Sequence, residues 1–283
     1  MQRMRRRLGH LQCDIVQPDH AAVGKPVVFV HGLGGGTWGW ENFQMYFAQR
    51  GRVTYAPELP YHGSERDARL GDYSVETYAL YIAAALAEIG DCFVVGHSMG
   101  GIIAQKLAET TPNAGYVFLC SAPPWNMFRR AYWPMWKHIL RHPLRGALQA
   151  IRQDPMVLDE ALEDELVNNR LSEAMRHAIY SKDVPDSGRA SLQMALGLIK
   201  VDERQVGSPC LVVGGLADGL IPAVEQEHIA ARYGCPVKIF DRGHMLIIEE
   251  GWEEVAAYLL RWCEAVEQGA PHPELLSAAG QKT

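Results

Sequence analysis

The chain has 283 residues, a length that fits one large α/β domain or two small ones. Its formal net charge is −6 and its isoelectric point is about 6.0, which argues against nucleic acid as a partner because phosphate binding requires a basic surface. No apolar run approaches the roughly 18 residues of a membrane-spanning helix, so the sequence predicts no membrane span.

A basic cluster opens the chain, formed by Arg3, Arg5, Arg6 and Arg7. The residues after it are too polar to be the apolar segment of a signal peptide, which needs about 7–15 residues. We therefore expect a solvated end that leads into a first strand.

The cysteines are too scattered for a zinc site, because none of the six belongs to a C-x-x-C pair. Cys92, Cys120 and Cys210 fall in predicted buried strands, where a free thiol behaves as a small hydrophobic group. This usage indicates a reducing, cytoplasmic setting.

Alternating strand and helix patterns dominate the chain. Four short runs that are apolar on both faces, as in buried parallel strands, span 27–30, 92–95, 116–119 and 210–213. Weaker strand patterns span 11–16, 53–56 and 237–240. Helical patterns span 38–50, 74–89, 100–110, 223–233 and 251–266. The alternation predicts an α/β fold with a parallel sheet and helices on both of its faces.

One long stretch, residues 123–206, carries no strand pattern and contains two helical patterns at 159–180 and 187–199. Trp125, Trp133 and Trp136 lie near its start, just past a strand's carboxyl end, where ligands bind in α/β sheets. We interpret it as a helical cap over a pocket; additional packing helices are the alternative. The predicted α/β core then comprises residues 10–122 and 207–268. Residues 269–283 are predicted to form a flexible tail.

A single serine stands between two glycines in Gly96-His97-Ser98-Met99-Gly100. A predicted strand precedes the motif and a predicted helix follows it, which is the setting of a G-x-S-x-G nucleophile elbow. The elbow places Ser98 at the positive end of a helix, which favours a developing anion. We therefore predict that Ser98 is a nucleophile, and we expect His97 to point away from it.

A nucleophilic serine needs a base, and the base needs an orienting acid. Asp218 follows strand 210–213 and His244 follows strand 237–240, so both should reach the sheet edge that carries Ser98. The order Ser, Asp, His is the one this elbow requires. The preceding strand ends at Leu119 without a carboxylate to compete with Asp218. Asp241 is expected to pair with Arg242 or a backbone group.

Backbone N–H groups should stabilise the oxyanion. We assign these to Met99, next to the nucleophile, and to Leu33 in the glycine-rich loop 31–36. The glycine spacing of that loop matches neither dinucleotide nor P-loop motifs. His138 and His142 have the i, i+4 spacing of a metal-binding helix but lack the glutamate between them, so we predict no metal, and we expect no cofactor. The candidate pocket residues are His31, Trp38, His62 and Trp125.

These motifs together resemble the α/β-hydrolase superfamily. The resemblance rests on His31-Gly32-Leu33-Gly34, on the motif around Ser98, on Asp218 followed by Pro222, and on Gly243-His244. It covers about residues 10–265 and implies an eight-stranded, mostly parallel sheet, a helical cap and an acyl-enzyme mechanism. Haloalkane dehalogenases and epoxide hydrolases carry aspartate at the position of Ser98, which makes both activities unexpected here.

The resulting hypothesis is a serine hydrolase that cleaves small to medium hydrophobic carboxylic esters with Ser98, Asp218 and His244. The same three residues serve C–C bond hydrolases, amidases, lactonases and thioesterases, which remain alternatives. A C–C hydrolase would need a basic pocket residue, for which Arg129, Arg130 and Lys137 are candidates. A non-catalytic ligand receptor on the same scaffold is a third hypothesis. The sequence leaves the oligomeric state open.

Overall fold

The computed structural model describes residues 1–63, 68–125, 127, 160–182 and 184–270. Trp133, Trp136, Arg129, Arg130 and Lys137, and all but the first two residues of the predicted tail, lie outside these ranges. The boundaries predicted for the core, cap and tail therefore remain predictions.

Eight strands of the described residues form one sheet with the order β1-β2-β4-β3-β5-β6-β7-β8. They are β1 (Gln2–Leu8), β2 (Leu11–Gln17), β3 (Val27–Val30), β4 (Thr54–Pro57), β5 (Phe93–His97), β6 (Gly115–Leu119), β7 (Cys210–Gly215) and β8 (Val237–Phe240). β2 is antiparallel to β1 and β4, and all other neighbours are parallel. The mostly parallel eight-stranded sheet implied by the resemblance is confirmed.

The central strands are buried on both faces because their side chains alternate between two hydrophobic cores. In β3, Val28 and Val30 face one core, while Val27 and Phe29 face the other. Their backbones pair in register with β5 on one side and β4 on the other. This explains why such short, wholly apolar runs are recognisable in the sequence.

Helices cover both faces of the sheet. They are α1 (Glu41–Gln49), α2 (Val75–Ile89), α3 (Met99–Thr110), α4 (Glu160–Leu166), α5 (Glu173–Tyr180), α6 (Gly188–Ala195), α7 (Ala223–Tyr233) and α8 (Trp252–Glu267). Buried residues of α2, α3 and α7 join one core, and those of α1 and α8 join the other. None of the helices within the described ranges is long and apolar enough to cross a membrane.

Two local predictions were incomplete. The N-terminal arginines do not precede the first strand but belong to it, since β1 pairs with β2 from Gln2 to Leu8. This edge strand is mostly exposed and has no apolar face to reveal it.

The helix predicted over 159–180 is in fact two helices, α4 and α5. The Ser172 side chain caps α5 by accepting from the Met175 N–H.

Candidate active site

Ser98 occupies the sharp turn between β5 and α3, with φ 57° and ψ −116°. This is a strained backbone conformation for a residue with a Cβ. The turn is held by the Ser98 N–H, which donates to the Leu119 carbonyl at 3.0 Å, and by the Gly101 N–H, which donates to the Ser98 carbonyl at 2.9 Å. Ser98 also lines the cavity described below.

The glycines that flank Ser98 allow strand and helix to approach. A Cβ on Gly96 would lie 2.0 Å from the Gly100 carbonyl oxygen. A Cβ on Gly100 would lie 2.2 Å from the Val30 carbonyl oxygen. Both separations are shorter than any real contact, so the path of the chain around Ser98 requires glycine at both positions.

Asp218 and His244 meet at the same sheet edge, from the loops after β7 and β8. His244 Nδ1 lies 2.8 Å from Asp218 Oδ2, and both side chains are buried. The other carboxylate oxygen, Oδ1, accepts from the N–H groups of Leu220 at 2.9 Å and Ile221 at 2.8 Å. Because the carboxylate accepts a hydrogen bond from the Nδ1–H group, His244 Nε2 is the nitrogen left to act as a base. His244 and Ser98 line the same cavity.

Two side chains that the sequence does not assign to the site hold the His244 loop. His97 Nε2 donates to the His244 carbonyl at 2.9 Å. Burial lowers the pKa of His97 to about 3, helped by the neighbouring His244, so His97 is neutral. Glu249 accepts from the Gly243 N–H at 2.7 Å. His97 thus supports the loop that carries His244, and nothing in the sequence signals this contact.

Cys120 follows β6 and packs beside the same pair. Three potential ligand atoms lie within 4.8 Å of one another here: Cys120 Sγ, an Asp218 carboxylate oxygen and a His244 ring nitrogen. Among the described residues, this is the one group found that could hold a metal ion. Burial, and then the Asp218 charge, raise the pKa of Cys120 far above its ordinary value, so the thiol stays protonated. With Asp218 Oδ2 and His244 Nδ1 already bonded to each other, this cluster is better suited to orienting His244 than to holding a metal.

The glycine-rich loop after β3 passes directly beside Ser98. A Cβ on Gly32 would lie 2.9 Å from Ser98 Cβ. Leu33, the next residue, lines the cavity, and Met99 begins α3 immediately after Ser98. The two residues predicted to supply oxyanion donors thus come from segments that adjoin Ser98.

The cavity above Ser98 has a volume of about 890 Å³, counted with its open mouth. Its described wall is mainly apolar and includes no lysine or arginine. The residues from the core are His31, Gly32, Leu33, Gly35, Gly36, Trp38, Gly39, Trp40, His97, Ser98, Ala122, Leu220, Ile221, His244, Met245 and Ile247. The predicted cap region adds Leu162, Glu163, Val167 and Met194.

Of the four candidate pocket residues, His31 and Trp38 line this cavity, whereas His62 and Trp125 are not among its lining residues. His62 is buried behind His31 and contacts Asp186 instead. Trp125 is 45% exposed, and the Lys200 ammonium lies 5.2 Å from its ring. The Asp241 carboxylate pairs with Arg170 and not with Arg242. Arg242 donates instead to the backbone carbonyl of Asp241.

Known proteins resemble the chain in sequence. The dihydrolipoyllysine-residue acetyltransferase component of the acetoin cleaving system from Cupriavidus necator is 28% identical over 79% of this chain, which spans 60% of that protein. The pimeloyl-(acyl-carrier protein) methyl ester esterase of Aeromonas hydrophila is 28% identical over 74% of this chain and 84% of its own.

Solved structures resemble it in fold. A thermophilic esterase from Thermogutta terrifontis superposes with a TM-score of 0.68 at 20% identity, over 94% of this chain and 99% of that one. Residues 27–258, most of the chain, match the model that describes the alpha/beta hydrolase family. The match includes the segments that carry Ser98, Asp218 and His244. The protein therefore belongs to the alpha/beta hydrolase family.

Proposed function

We propose that this protein hydrolyses carboxylic esters through an acyl-enzyme formed on Ser98. The observation that carries the proposal is the buried 2.8 Å contact between His244 and Asp218, on a cavity that Ser98 also lines from a strained strand–helix turn. A nucleophile, a base and an orienting acid are the three parts that serine catalysis needs.

In the proposed mechanism, Ser98 Oγ attacks the ester carbonyl carbon while His244 Nε2 takes the hydroxyl proton. The Leu33 and Met99 N–H groups stabilise the oxyanion of the tetrahedral intermediate. When the intermediate collapses, His244 gives its proton to the leaving alcohol. Water then attacks the acyl-enzyme while His244 takes one of its protons. When this second intermediate collapses, His244 returns that proton to Ser98 Oγ and the carboxylic acid leaves. Asp218 keeps the Nδ1 proton in place and stabilises the imidazolium.

The cavity wall favours neutral, hydrophobic esters of small to medium size. Its described lining is mainly apolar and includes no lysine or arginine that could bind an anionic substrate. Burial lowers the pKa of both His31 and His97 to about 3, so neither histidine offers a positive charge. These features give less support to C–C cleavage of a dienoic acid, which would need a basic group for the carboxylate.

The first reported relative is named as an acetyltransferase component, but two other similar proteins support ester hydrolysis. One of them is named as a methyl ester esterase, and a structural neighbour is an esterase. Thioesters, amides and lactones present the same carbonyl to the same nucleophile, so they are the competing substrates. A receptor that binds ligand without turnover is the competing class of function.

The test is the hydrolysis of p-nitrophenyl esters from acetate to palmitate by the wild type, Ser98→Ala and Ser181→Ala. Ser181 is exposed and lies outside the cavity, so its variant controls for the loss of a serine hydroxyl. We expect turnover that peaks at one chain length, survives in Ser181→Ala and falls by at least about 10³-fold in Ser98→Ala.

Each outcome has a definite meaning. Turnover that persists in Ser98→Ala would show that another group is the nucleophile. Folded protein that cleaves none of the oxygen esters would contradict the proposal, and thioester, amide and C–C substrates would be assayed next. Saturable binding without any turnover would indicate a receptor.

A further inference from the structure

Asp186, outside the cavity, makes four contacts with its buried carboxylate. Oδ1 accepts from the Tyr78 hydroxyl at 2.9 Å and from the Ser187 N–H at 2.6 Å. Oδ2 accepts from the Gly34 N–H at 2.9 Å and lies 2.8 Å from His62 Nε2. Asp186 is only 1% exposed, so its carboxylate loses its hydrating water on folding. These contacts compensate for that loss.

His62 is the ionisable partner of Asp186. Its Nδ1 lies 3.0 Å from the Pro60 carbonyl oxygen, which can only accept, and its Nε2 faces the Asp186 carboxylate. Both ring nitrogens therefore lie close to acceptor oxygens, which favours the doubly protonated imidazole. Burial alone would lower the pKa of His62, but Asp186 raises it above its ordinary value. Burial opposes ionisation of Asp186 as well, and His62 holds the pKa of that carboxyl below its usual range.

This ion pair ties the glycine-rich loop to the chain just before α6. Gly34 donates its N–H to Asp186, and its carbonyl accepts from the Val184 N–H at 3.1 Å. Ser187, next to Asp186, anchors that segment through its hydroxyl, which donates to the Tyr73 carbonyl at 2.5 Å. Both polar groups of the Gly34 backbone are thus fixed by a segment far away in the sequence.

Gly34 directly follows Leu33, to which the proposed function assigns an oxyanion N–H. The peptide plane between these residues contains the Gly34 N–H, so holding that N–H restricts the orientation of the loop at Leu33. An oxyanion donor acts only when its N–H points at the developing charge. Asp186 does not line the cavity and can act only through the loop.

We propose that Asp186, paired with His62, is a positioning residue that holds the oxyanion loop in its catalytic orientation. The kinetic consequence of this proposal rests on the proposed function. Its structural consequence, the restraint of the loop at Gly34, does not. Its kinetic consequence is a loss of kcat with little change in KM, because oxyanion donors bind the transition state more strongly than the substrate.

Asp186→Asn tests the proposal because it replaces one of two accepting carboxylate oxygens with an NH₂ donor, which must face one set of the Asp186 partners. Neutral His62, with its proton kept on Nδ1 by Pro60, presents an Nε2 lone pair that attracts the new NH₂ group. That NH₂ then faces the Gly34 N–H, and two donors repel each other. Tyr78→Phe is the matched control, since it removes a bond to the same carboxylate on the side away from Gly34.

The first readout is amide hydrogen exchange of peptides that cover residues 31–36, which needs no substrate. We expect exchange at Gly34 to accelerate by at least about tenfold in Asp186→Asn and to change little in Tyr78→Phe. The second readout is kcat per active site, with sites counted by exhaustive fluorophosphonate labelling. We expect kcat to fall about 10–100-fold in Asp186→Asn, with KM within about threefold of the wild type.

Unchanged exchange at Gly34 in folded Asp186→Asn would overturn the proposal. So would equal kinetic losses in Asp186→Asn and Tyr78→Phe, because these would indicate a general effect on packing. If Asp186→Asn does not fold, His62→Gln must accelerate exchange at Gly34, and its failure to do so would also overturn the proposal. A wild type that cleaves no ester refutes the proposed function, whereas the exchange experiment still decides the role of Asp186.

Discussion

His97 Nε2 donates to the backbone carbonyl of His244 at 2.9 Å, which joins the turn that carries Ser98 directly to the loop of the proposed base. The two imidazole rings lie 4.9 Å apart between centroids. His97, the residue before Ser98, therefore fixes the distance between the His244 backbone and the turn. This buried hydrogen bond connects the two elements between which the proposed mechanism transfers a proton.

Replacing His97 should accordingly slow the reaction. We expect His97→Ala to lower kcat by about 10–100-fold, since small displacements of catalytic groups carry costs of this size. His97→Gln retains an N–H donor and should recover most of the lost activity. The measurement is kcat and KM for the best p-nitrophenyl ester. Equal losses in the two variants would show that the ring, and not the hydrogen bond, is what the site requires.

Gly100→Ala should damage the fold itself. The new Cβ would lie 2.2 Å from the Val30 carbonyl oxygen and 2.6 Å from that of His31, and backbone atoms cannot move aside as a flexible side chain can. We expect a loss of about 3 kcal/mol or more in the free energy of unfolding, the upper end for overpacking. Denaturant unfolding measures this loss.

Gly207→Ala is the control for that substitution. A Cβ at Gly207 would meet nothing within 4 Å, and we expect its effect to stay within about 0.5 kcal/mol. Comparable stability of the two variants would contradict the close strand–helix approach at Gly100.

The sequence predicts the central sheet well because burial on both faces leaves a distinct pattern. The runs at 27–30, 92–95, 116–119 and 210–213 match β3, β5, β6 and β7 to within one or two residues. β1 escapes recognition because an edge strand rich in arginine has no apolar face. Its identity depends on pairing with β2, which is not encoded in its own periodicity.

The candidate site divides in the same way. The meeting of Asp218 with His244 is predictable, because residues after neighbouring parallel strands emerge at one sheet edge. The pairing of His62 with Asp186 is not, because Asp186 lies in the segment between β6 and β7, whose path no strand pattern defines. His62 is therefore assigned to the pocket from sequence, although its side chain turns to a buried carboxylate.

The cysteines should react slowly with thiol reagents in the native protein. All six are free, and five are buried, with Cys235 partly exposed. Burial raises the pKa of Cys13, Cys92 and Cys235 to about 12, so few thiolates exist at neutral pH. We expect iodoacetamide to leave esterase activity intact, native labelling to begin at Cys235, and all six thiols to react in denaturant. Rapid alkylation of Cys120 with loss of activity would contradict this expectation.

The ion pair of His62 with Asp186 should make stability depend on pH. The pKa of His62 is raised above its ordinary 6.5, so its contribution is complete below pH 6.5 and is lost as pH rises through the folded-state pKa. The pKa of Asp186 is lowered from 3.8, so its contribution is complete above pH 3.8 and is lost as pH falls through the folded-state pKa. Stabilisation by the pair is therefore greatest between these limits.

Other groups around His62 modify this dependence. Glu58 raises the pKa of His62 further, and Tyr78 contacts both His62 and Asp186. His31 lies 5.0 Å away between ring centroids, and its own pKa is lowered to about 3 by burial and by His62. His31 is thus neutral throughout the range of interest. Because Glu58 and Tyr78 remain in a His62 variant, their titration largely cancels in a comparison with the wild type.

We therefore expect the stability difference between the wild type and His62→Gln to be largest near pH 5–6 and smaller at pH 9. Removing one partner of a buried pair costs about 3–5 kcal/mol, which sets the scale at the lower pH. His228→Gln is the control, because the His228 side chain is 54% exposed beside Glu225 and such a pair contributes about 0–1 kcal/mol. Urea unfolding of the three proteins from pH 5 to 9 measures both differences. A difference for His62→Gln that stays constant across that range would mean that His62 has the same pKa in the folded and unfolded states, which would contradict the raised pKa of the buried pair.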